Sequence, residues 1–157
     1  MKPRDPGAFV ATVPALPPLT WEYGRWVAPD TLKSWAGFQE RLGAYTSVSR
    51  KASRGAVALR VEAEETEDGT PMLPSAAQRG AYLYLKANER AIALVVQNRI
   101  LRMYPKLRRQ ALADSDGELD LPDIAKVAGL RQVLGLGNVH ILGLSKKGQA
   151  YVGFELG

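Results

Sequence analysis

The chain is predicted to fold as an α+β domain, a mainly antiparallel sheet packed against one long central helix with one or two short helices beside it. Three observations predict this. Val57, Leu59, Val61 and Ala63 alternate with Arg60, Glu62 and Glu64, the period of a strand that buries one face. Ala81, Leu85, Ile92, Val96 and Met103 fall on one stripe at about 100° per residue, the period of an amphipathic helix. Near the end of the chain Ala150, Val152, Phe154 and Leu156 alternate with Gln149, Tyr151 and Glu155. Strands at both ends of a helical stretch are the pattern of an α+β fold.

Taken in order, residues 1–18 are rich in proline and read as an extended arm, leaving 19–157 as a single domain long enough for one core. Trp21, Tyr23 and Trp26 around Gly24 predict a short strand with a bend over residues 19–27. Asp30 or Thr31 can cap a brief helical turn, after which Trp35, Phe38 and Leu42 recur at spacings of three and four. Residues 56–64 form the clearest N-terminal strand, with residues 45–49 as its partner and a loop over 65–74 after it. Ser75 and Gln78 match a capping box, and the helix they open is expected to end at Tyr104, because the residue before a proline is steered away from helical geometry. Pro105 can start a second short helix over 106–112. Asp120 can cap another that Gly129 closes. Residues 139–144 are apolar on both faces apart from His140 and read as a central strand. A turn over 145–148 then leads into the last strand.

Charge is segregated along this framework. Residues 1–73 are neutral, residues 74–113 carry eight Lys and Arg against the single Glu89, and residues 114–157 are acidic. The basic helix over 75–109, bearing Arg79, Lys86, Arg90, Arg99, Arg102, Lys106, Arg108 and Arg109, could track phosphates, although such a stripe is commonly a solvated face. Beside it runs a second apolar row of Leu83, Leu94 and Leu101, which could meet the N-terminal arm or a second copy of the chain.

The catalytic inventory is thin, and no enzyme is expected. His140 is the one histidine and there is no cysteine, so disulfides and thiolate or multi-histidine metal sites are excluded. His140 reads first as a packed strand residue with one hydrogen bond. No phosphate-binding loop, nucleophile elbow or dinucleotide fingerprint is present. Asp114, Asp116, Gly117 and Asp123 only loosely follow a calcium loop, whose first position would be Leu112. No cofactor or metal is therefore expected. The chain has no apolar run of membrane-spanning length and no signal peptide, so a cytoplasmic location without membrane contact is expected.

The residues left for partner binding are of two kinds. Glu62, Glu64, Glu65, Glu67 and Asp68 form one acidic run, and Asp114, Asp116 and Glu118 a second; both suit a basic partner. Trp26 and Trp35 are of the type most often found as interface anchors, although the first reading of the clustered tryptophans is the core.

Trp35-Ala36-Gly37-Phe38-Gln39, Tyr45, the helix from Gln78 to Tyr104-Pro105, Val139-His140-Ile141 and Tyr151-Val152-Gly153-Phe154-Glu155 together resemble the bacterial domain-of-unknown-function family 6985, over most of the chain after about residue 19. The resemblance implies an immunity-type protein encoded beside a polymorphic or type VI secreted toxin, with that toxin as its binding partner. Members of the family usually continue into a Cys-Thr-Trp-Asp segment with a histidine and glycine further on. This sequence stops at Gly157, and a truncated or natural short form is expected. Nucleic-acid binding through the basic helix and a structural homo-oligomer are the alternatives.

Overall fold

A computed structural model describes residues 9–41, 51–118, 121–143 and 148–157. Among them lie six strands: β1 (Val10–Ala11), β2 (Leu19–Glu22), β3 (Arg25–Thr31), β4 (Ala56–Glu62), β5 (Leu136–Ile141) and β6 (Val152–Leu156). They form one sheet in chain order, and every neighbouring pair is antiparallel except β4 with β5. A parallel pair needs a crossover. Here the crossover holds α1 (Ala76–Ala87), α2 (Glu89–Asp114) and α3 (Val127–Leu130), so the α+β class stands with one long helix.

The expected bend at Gly24 is a complete hairpin. Tyr23 and Gly24 have φ of 49° and 82°, the two left-handed residues of a tight hairpin turn that matches strand twist. Tyrosine is not a usual occupant of that place, which hid the turn in the sequence. Trp21 then pairs with Trp26, and their rings meet edge to face at 5.2 Å. The described part of the proline-rich arm is also drawn into the fold. Val10 and Ala11 pair with Thr20 and Leu19, and Val13 and Leu16 are buried.

Residues directly opposite one another in a sheet share a face. One face therefore carries Trp21, Trp26, Ala28, Val57, Leu59, Val61, Val139 and Ile141, all buried in the core. The alternating residues Arg25, Val27, Arg60, Glu62 and His140 point the other way. Asp30 and Thr31, expected to cap a helical turn, end β3 instead. The turn that follows is a 3₁₀ segment, Lys33–Trp35, with no side-chain cap. Leu42 and the strand expected over 45–49 lie outside the described residues.

The long helix departs from expectation in two places. The capping box is present in full, with Ser75 Oγ accepting from Gln78 N and Gln78 Oε1 accepting from Ser75 N. But Asn88, at φ −116° and ψ 20°, interrupts the helix and resets its phase. The buried side of α2 therefore runs through Ala93, Gln97 and Tyr104. Gln97 is buried and donates to Ser34 O at 3.2 Å, whereas Met103, expected in the core, is about half exposed. The second departure is that Pro105 does not stop the helix. It leaves the Leu101 carbonyl without its usual donor and crowds Tyr104. Burial of Tyr104 and its hydroxyl bond to Pro122 O at 2.7 Å oppose that penalty. The bonds from Tyr104 and Arg108 to Pro122 O and Leu121 O also tie residues 121–122 to α2. α3 covers only Val127–Leu130, and Gly129 lies inside it rather than closing it, while Asp120, the expected cap, lies outside the described residues.

Asp30 anchors α1 to β3. Its carboxylate accepts from Tyr82 Oη at 2.8 Å and from Lys86 Nζ at 3.2 Å, and Lys86 also reaches Thr31 O. Burial first, then the hydrogen bond to Asp30 and its charge, push the Tyr82 phenol well above the ordinary 10. A raised folded-state pKa means that the contribution to stability is complete below 10 and is lost as the pH rises beyond it. Tyr82→Phe is expected to cost about 1 kcal/mol at neutral pH and to flatten the alkaline loss. Urea unfolding at about pH 7 and about pH 11 checks this; equal alkaline losses in both proteins would contradict it.

Candidate functional site

The phase reset at Asn88 decides which side of α2 meets solvent. Ala91, Leu94, Val95, Asn98, Arg99, Arg102 and Met103 recur at helical spacings of three and four and share one side. All are exposed, Val95 by 69% and Leu94 by 51%. Leu94, Val95, Asn98, Arg99, Arg102 and Met103 line a hollow of about 550 Å³. Exposed Arg90, Lys106 and Arg109 on the same helix add positive charge, and Leu107 is also about half exposed. Of the second apolar row, Leu83 and Leu94 are about half exposed, while Leu101 packs partly against the core.

The tryptophans expected as anchors lie elsewhere. Trp26 and Trp35 are each 2% exposed, so they belong to the core and present no surface. Trp26 donates its indole N–H to Met72 O at 2.8 Å, while Trp35 packs against Phe38 and Phe154. Both side chains leave the surface because β3 and the 3₁₀ turn direct them under the helices.

The acidic residues are exposed at two separate places in the chain. Glu64, Glu65, Glu67 and Asp68 lie between β4 and α1. There Asp68 Oδ1 closes a turn by accepting from Thr66 Oγ1 and Thr70 N. Glu62 ends β4, and its Oε2 accepts from Gly143 N at 2.8 Å. Asp114 ends α2, and Asp116 and Gly117, at φ 51° and 79°, turn the chain towards Glu118. Among the described residues no group of three or more His, Asp or Glu could hold a metal ion, and no helix is long and apolar enough to cross a membrane.

His140 lies in β5 on the face away from the core, with Nε2 at 2.7 Å from Glu155 Oε2 on β6. The hydrogen bond from His140 holds the Glu155 carboxyl below its usual range. Burial opposes this shift, while the charges of His140 and Arg60 add to it.

The sequence located Leu94, Arg99 and Arg102 but not Val95, because a single helical phase carried through Asn88 hides it. The polar, weakly helix-forming Asn88 was the available signal. No curated protein and no solved structure matches the chain. A family match begins at residue 39, later than the resemblance from about residue 19 suggested, and leaves β1, β2 and β3 outside it. It runs over residues 39–157, more than half of the chain, and so the chain belongs to the family described as Domain of unknown function (DUF6985).

Proposed function

We propose that this chain is an immunity-type protein that neutralises a bacterial toxin by direct, non-covalent binding, and that the exposed side of α2 is the docking surface. The observation that carries this reading is the interleaving of exposed Leu94, Val95 and Met103 with Arg99 and Arg102 around one hollow. Methionine and arginine are enriched at protein interfaces, and a contiguous apolar patch on a surface commonly marks one. The surrounding Arg90, Lys106 and Arg109 call for a partner with acidic groups around an apolar centre. The toxin surface engaged here is therefore acidic, unlike the basic groove of a nuclease.

Nucleic-acid binding by the basic helices α1 and α2 is less well supported. Lys86 is engaged by Asp30 and Thr31, and Arg108 by Leu121 O and Asp123. The arginines of α2 that form no ion pair among the described residues alternate with leucine and valine, which a phosphate backbone does not require.

Co-expression with the product of the adjacent gene, followed by pull-down and calorimetry, tests the proposal. Val95→Asp and Arg99→Glu are each expected to weaken the complex tenfold or more, about 1.4 kcal/mol, while Glu67→Lys in the acidic turn leaves it unchanged. Loss of binding only in Glu67→Lys would move the docking surface to the acidic turn. Self-association of the isolated chain that Val95→Asp abolishes would assign the stripe to a second copy, and absence of any complex would remove the toxin.

A further inference from the structure

A second hollow lies on the opposite face of the sheet, and it is independent of the α2 surface. It has a volume of about 400 Å³ and is lined by Gly24, Arg25, Arg60, Glu62, His140 and Leu142, with Ala63 and Ile141 completing the wall. That volume is within the range of small-molecule sites. The residues converge because of strand register. Arg60 on β4 stands directly opposite His140 on β5, and Arg25 on β3 stands opposite Glu62, two residues further along β4. β4 and β5 are the parallel pair, and their carboxyl ends, Glu62 and Ile141, both reach this hollow.

The charges here are only partly matched: His140 pairs with Glu155 at 2.7 Å and the Arg60 charge acts on the same carboxylate, whereas Arg25 is left over. Arg25 has Glu22 opposite on β2 and Glu62 opposite on β4, yet among the described residues it forms no ion pair with either. Glu62 instead gives Oε2 to the Gly143 amide. Arg60 likewise forms no ion pair among the described residues, and its buried Nε has no hydrogen-bond partner. An unpaired buried donor on a cation carries a substantial desolvation cost. Beside it, Gly153 faces His140 across β5 and β6 without a side chain to cover the imidazole.

We propose that Arg25 and Arg60, with the His140–Glu155 pair beside them, form a binding site for the oxyanion of a small molecule, a phosphate or a carboxylate. The arginine fork presents parallel N–H donors that match the oxygens of either group. The Arg25 guanidinium, which makes no ion pair or side-chain hydrogen bond among the described residues, supplies donors that the protein itself leaves unused. Glu62 Oε1, which accepts no hydrogen bond among the described residues, adds a negative acceptor to the same hollow. The preferred ligand therefore carries a hydroxyl or amine donor next to its anionic group.

Titration of the ¹⁵N-labelled protein with inorganic phosphate, acetate and chloride at matched ionic strength tests the site. Saturable shifts confined to the amides around Arg25, Arg60 and His140 are expected for phosphate, acetate or both, with Kd of about 1 mM or tighter, and none for chloride. The anion that saturates identifies the preferred head group. Arg25→Gln and Arg60→Gln are each expected to weaken that binding at least tenfold, while Arg102→Gln on α2 leaves it unchanged. Thermal unfolding identifies any variant that has lost its fold, and Arg25→Gln and His140→Gln decide the matter if Arg60→Gln is one. Equal, non-saturating responses to all three ions, or folded Arg25→Gln and His140→Gln variants that bind like the parent, would overturn the site. None of these outcomes depends on the toxin.

Discussion

Trp35→Ala is expected to lower stability by about 3–5 kcal/mol, a loss large enough to threaten folding in a domain whose whole margin is on the order of 5–15 kcal/mol. The indole is 2% exposed, with its ring 5.0 Å from Phe38 and stacked 6.3 Å from Phe154 on β6. Its backbone belongs to the 3₁₀ turn that α2 grips from both sides. Ser34 N donates to Glu89 Oε1 at the start of that helix, and Ser34 O accepts from Gln97 two turns later. The ring therefore connects the 3₁₀ turn beside α2 to the last strand. Urea unfolding measures the effect. A loss below about 1 kcal/mol would show that the site refills easily and that the contact with Phe154 is dispensable.

The position of Trp35 also shows where sequence reasoning succeeds and where it stops. β4 and β6 are legible because a strand with one buried face alternates strictly, and Val57, Leu59, Val61, Val152 and Phe154 do so. The start of α1 is legible because the capping bonds between Ser75 and Gln78 lie within one turn of the chain. What is not legible depends on distant partners. Pro105 is tolerated because Tyr104 finds Pro122, and the phase of α2 is fixed by Gln97 reaching Ser34 across the core. A tryptophan's sequence surroundings do not tell a core position from an interface anchor; that depends on which way the backbone turns it. The parallel pairing of β4 with β5 is equally hidden, since a period-two pattern carries no strand direction.

That pairing separates the two candidate surfaces. Val57, Leu59 and Val61 direct one face of β4 to the helices, and the same alternation sends Arg60 and Glu62 to the other. The α2 stripe lies on the far side of the helix layer and the oxyanion hollow on the far side of the sheet. A protein partner and a small anion then have no residue in common. Their binding energies are expected to add, and substitutions at one surface should leave the other unaffected.

Gln78→Leu is expected to cost about 2–4 kcal/mol. The side chain is 4% exposed, and both ends of its amide are used. Oε1 accepts from Ser75 N at 2.9 Å, and Nε2 donates to Glu62 O at 2.6 Å, with Ile141 O and Leu142 O at 3.4 Å. One side chain thus closes the N-terminus of α1 and joins it to the carboxyl ends of the parallel strands. Leucine has nearly the same volume, so the expected loss comes from polar groups left unpaired rather than from a cavity. Ser75→Ala removes the cap alone and is expected to cost about 1 kcal/mol. Gln78→Glu keeps the acceptor but loses the donors, so it should be nearly as damaging as leucine at neutral pH. It should recover as the pH falls and the acid gains an O–H to offer Glu62 O. Urea unfolding of the three variants at neutral and acidic pH separates these contributions. If Gln78→Leu proves no more costly than Ser75→Ala, the bonds from helix to strand add nothing beyond the cap.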